Sequence, residues 1–135
     1  VSTDTLSGRS RTLTIWAGGL IAVVSAMHLA FFLVRSLDFV PDWVGGELWR
    51  VVPDGDPMPQ AQAYFWQLLG SFAVPLLLVG LLLVRFARAG RALPPFVTWT
   101  VAGWTLVCAL VLLPSGFPVL VVASVLLVLG RARRG

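Results

Sequence analysis

The sequence predicts an all-α integral membrane protein, a four-helix bundle with both termini in the cytoplasm. Three observations carry this prediction. The first is composition: of 135 residues 58% are hydrophobic, only 12% are charged, and mean hydropathy is +0.89. An ordinary soluble domain carries about a quarter charged residues. The second is a set of four runs free of Asp, Glu, Lys and Arg, at Leu13–Val34, Tyr64–Val84, Phe96–Leu113 and Phe117–Gly130. Runs of about 20 apolar residues are the length that crosses a bilayer as helix. The third is that all ten basic residues are Arg, most of them flanking these runs.

The first span is expected over 13–34. It is longer than a signal-peptide core and lacks an Ala-x-Ala exit, so it reads as a span and not as a cleaved leader. A long loop, 35–63, follows; it carries Asp38, Asp42, Glu47, Asp54 and Asp56 against Arg35 and Arg50. The second span is expected at 64–84 and the third at 96–113. The fourth run is short for a hydrocarbon layer of ~30 Å, so its span is extended back to 115–130. Between the last two, "LPSGFP" (Leu113–Pro118) predicts a tight helical hairpin, because Pro114, Gly116 and Pro118 break helix. These spans leave little of residues 1–135 for anything but a single transmembrane domain.

Orientation follows from the arginines. Arg9 and Arg11, then Arg85, Arg88 and Arg91, then Arg131, Arg133 and Arg134 occupy the two ends and the loop between spans two and three. The positive-inside rule places all three groups in the cytoplasm and the acidic loop outside. The net charge of +4 and pI near 11.1 are thereby read as topology, not as nucleic-acid binding. With one Cys (Cys108) and one His (His28) the chain has neither an intramolecular disulfide nor the three or four ligands of a zinc site. No metal and no cofactor is expected, no phosphate loop or haem-attachment motif is present, and the sequence carries no signal for an oligomer.

Polar positions within the spans are the candidate site. His28 lies roughly 9 Å from the outer end of the first span at 1.5 Å per residue. Gly18, Ile21, Ser25, His28, Phe32 and Arg35 share one helical face, which points His28 into the bundle. An ionisable group in a membrane is a functional candidate by default; the alternative is a neutral imidazole that bridges helices. Gln60, Tyr64, Gln67 and Ser71 form a matching stripe on the second span, so Gln67 and Ser71 are expected to meet His28. Thr105 and Cys108 are read as weaker polar contacts between helices.

Trp16, Trp66 and Trp99 fall near helix ends, as an aromatic belt requires, whereas Trp104 is deeper. Trp43 and Trp49 flank Gly45, Gly46 and Glu47 in the outer loop. Two readings of "DWVGGELWRVVPDGDPMPQ" follow: a lid that turns at Gly45-Gly46 and packs Trp43 or Trp49 on the helices, or a solvated strap. Gly18, Ala22 and Ala26, four residues apart, suit close helix packing.

On "MHL", "GGELW", "YFWQLLGSFAVPLLLVGLLL" and "LPSGF", the chain resembles a family of uncharacterised small bacterial membrane proteins with four spans. The resemblance covers most of the chain and implies the four-span fold and a position for His28 and the Gly-Gly-x-x-Trp element; the span and arginine pattern predicts a multi-pass protein of the bacterial cytoplasmic membrane, with membrane lipid as a partner. The resemblance implies no activity.

The residues support two functions. One is an accessory or binding protein that takes an apolar small molecule or partner in a pocket under the outer loop, lined by Phe32, Tyr64, Trp66, Gln67, Ser71 and Trp104. The other is an enzyme resembling the small integral-membrane terpene cyclases, performing acid-initiated cyclisation or isomerisation of an isoprenoid-like substrate. Glu47, Asp54, Asp56 and His28 would then be the candidate catalytic groups, and the aromatic rings would stabilise carbocations. Proton-coupled export is a weaker third class, since compact four-span exporters carry a carboxylate where this chain has His28.

Overall fold

A computed structural model of the chain describes residues 6–111 and 117–132. Among these residues the structure is helical, without strands: α1 (Gly8–Ser36), α2 (Val40–Val44), α3 (Gln60–Leu68), α4 (Ala73–Arg88), α5 (Pro95–Val111) and α6 (Phe117–Ala132). Two short 3-10 turns, Leu37–Phe39 and Glu47–Trp49, lie before and after α2. Most of the expected hairpin turn, and Arg133 and Arg134 of the tail, fall outside the described residues. The chain divides into two compact units, Val1–Val24 with Leu76–Gly135, and Ser25–Pro75.

The first unit has one core, to which four helices contribute. Ala17 and Ile21 of α1, Leu83 of α4, Val101 of α5, and Leu120, Ala123 and Leu127 of α6 are buried together. The three α6 residues recur at three and four, the spacing of a single helical face. α1 starts earlier than the apolar run because Ser7 accepts from the Ser10 backbone N–H at 3.4 Å, an N-cap contact that carries helix into the polar "GRSR". Gly18 and Gly80 mark where α1 and α4 pass closest. A Cβ added at Gly80 would stand 2.7 Å from the backbone nitrogen of Ala22 and 2.8 Å from the Gly18 carbonyl oxygen. α5 begins on Pro95, whose missing N–H costs nothing in a first turn. It is joined to α6 by a buried contact of 2.7 Å between the Thr105 and Ser124 hydroxyls. Each hydroxyl also lies within bonding distance of its own helix's carbonyl, Val101 or Leu120. Two protons serve three contacts, so one hydroxyl donates across and the other donates along its helix.

α4 ends in a Schellman motif. Arg91 N–H reaches the Phe86 carbonyl and Gly90 N–H the Ala87 carbonyl, both at 3.0 Å, with Gly90 at φ +71°. Arg11 donates to the Arg88 carbonyl at 2.9 Å, satisfying another carbonyl of the same terminus.

The second unit corrects the expectation of one continuous helix over 64–84. Helix stops at Leu68 and restarts at Ala73. Pro75 is the reason: in an unbroken helix its ring would strike the Ser71 carbonyl and it could not donate to that oxygen, whereas in the first turn of α4 neither penalty applies. Hydropathy did not register the break because Leu69 and Phe72 keep the stretch apolar.

The loop between α1 and α3 carries short helical elements. α1 passes at Ser36 directly into the 3-10 turn and α2, with Pro41 in the first turn of α2. Gly46 at φ +100° then reverses the chain, a conformation an L side chain resists. The segment "PDGD" closes a turn through Asp56 N–H to the Pro53 carbonyl, 3.1 Å, with Gly55 at φ +93°.

Candidate functional site

The unit Ser25–Pro75 gathers aromatic rings about His28. On α1 His28 packs on Phe32 with ring centroids 4.7 Å apart, and Phe32 lies 6.4 Å from Tyr64 of α3. Phe39, in the 3-10 turn after α1, stacks on the other side of Tyr64 at 4.8 Å and 19°. All four are half-buried. Arg35 covers the exposed face of Phe31 at 4.6 Å, a cation-π contact at the end of α1.

His28 meets Gln67, through the backbone and not through the amide side chain. Its Nε2 lies 2.9 Å from the Gln67 carbonyl oxygen. A carbonyl only accepts, so Nε2 carries the proton and donates. The position has a physical cause. The break at 69–72 removes the helical N–H that would have bonded this oxygen, and His28 supplies a replacement. Ser71, expected beside His28, does the same for its own chain: its hydroxyl donates to the Leu68 carbonyl at 2.8 Å and accepts from Ala73 N–H at 3.3 Å. Ser25, one turn before His28, is 2% exposed, and its hydroxyl has no hydrogen-bond partner.

Of the two loop tryptophans only Trp43 docks. Its indole N–H donates to the Ala61 carbonyl at 2.7 Å and its ring meets Phe65 edge to face at 5.8 Å. Trp49 is 78% exposed. A residue the sequence reading passed over, Gln62, holds the loop in place. Its side-chain amide donates to the carbonyls of Glu47 and Arg50, both at 2.8 Å, while 7% exposed. The signal was present: Ala61, Phe65 and Leu68 define one apolar face of α3, and Gln62 borders it.

The acids are not gathered on the aromatic cluster. Glu47 pairs with Arg50 at 3.3 Å, three residues on, with the Arg side chain 66% and the Glu side chain 39% exposed. Asp54 and Asp56 are exposed in the turn. Trp66 is 58% exposed, its ring edge-on to Phe65 at 5.8 Å. Trp104 belongs to the other unit, where its ring stands edge to face with Phe117 at 5.6 Å. The sequence-derived set thus separates into His28, Phe32, Tyr64 and the Gln67 carbonyl, which come together, Ser71, which closes the helix break, and the remaining residues, which the structure does not bring to them. Among the described residues no group of three or more His, Cys, Asp or Glu is placed to hold a metal ion.

A family of unknown function, DUF6463, matches residues 12–134 of the chain. No curated protein and no solved structure matches it.

Proposed function

The chain belongs to DUF6463, a family of unknown function, and we propose that it is a four-span protein of the bacterial cytoplasmic membrane whose outer unit binds an apolar small molecule. The membrane reading is supported by apolar helices that the protein does not bury. The stretches Gly8–Val44 and Gln60–Arg88 contain windows of mean hydropathy 2.1 and 2.3, each only 22% buried. A soluble core helix of that hydropathy would be enclosed by protein. Outward side chains such as Met27, Leu78 and Val107, at 67%, 58% and 60% exposure, need hydrocarbon around them. α5 and α6, 17 and 16 residues, rise about 25 Å each, a little less than a hydrocarbon layer of ~30 Å. The positive-inside rule, applied to the arginine groups, supports a cytoplasmic side for the termini and the Arg85–Arg91 region.

Binding is carried by one observation: the half-buried stack of Phe39, Tyr64, Phe32 and His28. It offers apolar ring surface beside a loop fixed by Trp43 and Gln62. Acid-initiated cyclisation would need a carboxylic acid held against these rings, and Glu47 is instead paired with Arg50. The arrangement therefore favours binding over catalysis.

Native mass spectrometry of protein extracted from its own membrane tests the ligand. An apolar molecule should be retained by the wild type and lost from Tyr64→Ala; a bare wild-type chain would refute the reading. Topology is tested with Asp54→Cys and Ala89→Cys in a Cys108→Ser background. An impermeant thiol reagent on intact cells should modify only the first.

A further inference from the structure

The arginines at the end of α4 do more than mark topology. A groove of about 670 Å³ runs along this helix end, lined by Leu81, Val84, Phe86, Arg85, Arg88 and Arg91 among others. That volume lies within the roughly 300–1,000 Å³ of small-molecule sites. Arg85 and Arg88 are neighbours on the last turn, and the Schellman motif at Gly90 brings Arg91 to the same groove. The carbonyls of this terminus are satisfied by the motif and by Arg11. The guanidinium groups of Arg85, Arg88 and Arg91 make no ion pair among the described residues, where the single ion pair is Glu47–Arg50. By sequence the unit holds eight Arg and one acid, Asp4, which lies outside the described residues.

We infer that this groove binds the headgroup phosphate of an anionic phospholipid. Arg presents paired donors to phosphate oxygens, and the three that line this groove form no ion pair among the described residues. Leu81 is 54% exposed one turn deeper on the same helix, where an acyl chain would run. A groove charged at one end and apolar at the other suits an amphiphile, not a soluble anion.

The inference rests on the membrane insertion proposed above, and one reconstitution separates the two. Purified protein is mixed with phosphatidylcholine vesicles with or without phosphatidylglycerol and floated on a density gradient; flotation reports insertion, and a protein that does not float fails the membrane reading. Lipid adducts on the inserted protein, read by native mass spectrometry, report the headgroup. Phosphatidylglycerol should be retained over phosphatidylcholine, and Arg85→Gln, Arg88→Gln and Arg91→Gln should each lower that preference about fivefold, the value of one basic residue near a surface. Arg9→Gln, a charge at the start of α1 outside the groove lining, should change it less than twofold. Equal retention of the two lipids by the wild type overturns the site without recourse to variants. An Arg9→Gln loss as large as the others reduces it to general surface charge, and displacement by millimolar inorganic phosphate makes it a soluble-anion site; either result overturns the inference.

Discussion

Replacing Gly80 by Ala tests whether α1 and α4 pack as closely as the structure places them. The new methyl would meet the Ala22 nitrogen at 2.7 Å, the Gly18 oxygen at 2.8 Å and the Ala22 Cα at 3.1 Å, all of them backbone atoms that no rotamer change can move. Carbon contacts are favourable from about 3.5 Å, so the helices must part by roughly 0.8 Å locally, a gap that forfeits a quarter to a half of each neighbouring contact. Overpacking of this kind costs about 1–3 kcal/mol, and the helix preference of Ala over Gly returns up to about 1 kcal/mol. Gly80→Ala is therefore expected to destabilise by about 1–2 kcal/mol. Gly103, on α5, has nothing within 4 Å of the corresponding position, so Gly103→Ala should stabilise by up to about 1 kcal/mol. Unfolding in mixed micelles on titration with sodium dodecyl sulfate, followed by helical circular dichroism, measures both. Gly18→Ala should behave like Gly80→Ala, and the pair together should cost less than the sum, because the first methyl has already opened the gap. If Gly80→Ala proved as stable as Gly103→Ala, the helices would not meet at this point and the core assigned to the first unit would be wrong.

Two further substitutions probe the polar contacts. His28→Phe keeps a ring against Phe32 but removes the donor to the Gln67 carbonyl; a loss of about 0.5–1.5 kcal/mol and faster amide exchange in the flanking segment are expected, and unchanged exchange would show that His28 does not secure the break. In the first unit, a double-mutant cycle of Thr105→Val and Ser124→Ala isolates the hydroxyl contact between α5 and α6. Each single change leaves the surviving hydroxyl a carbonyl on its own helix, so a coupling of about 0.6 kcal/mol is expected, as for other contacts between membrane helices; a coupling of zero would remove that contact from the packing account.

The face of α1 was legible in the sequence because its period is unbroken: Gly18, Ile21 and Ser25 are buried where the spacing placed them, with His28 and Phe32 half-buried beyond. The break between α3 and α4 was written in Pro75 and Gly70-Ser71, but a reading led by hydropathy averages over such punctuation. Trp43 and Trp49 were indistinguishable on paper, since both flank Gly45-Gly46. What separates them is the direction of the chain after Gly46, a backbone angle that composition does not encode. The candidate acids are a separate case. Glu47 and Arg50, three apart, form an ion pair with one another, a local partner that a reading aimed at a distant pocket passes over.

The helix break is built into the fold and is not a weakness in it. Away from water, a backbone carbonyl without a partner is costly, so a helix can be interrupted there only where other groups take over its bonds. Here His28 takes the Gln67 carbonyl and Ser71 takes the Leu68 carbonyl, while Gly70 N–H returns to Phe65 at 3.0 Å. α3 is held by contacts of its own unit: Trp43 on Ala61 and Gln62 on Glu47 and Arg50. Tyr64 belongs to this unit, and the core of Ile21, Leu83, Val101 and Leu120 to the other. Gln62→Ala should consequently loosen the outer loop and weaken retention of an apolar ligand while leaving the unfolding of that core unchanged. A concerted loss of both would mean that the two units fold as one, and that the break has no independent role.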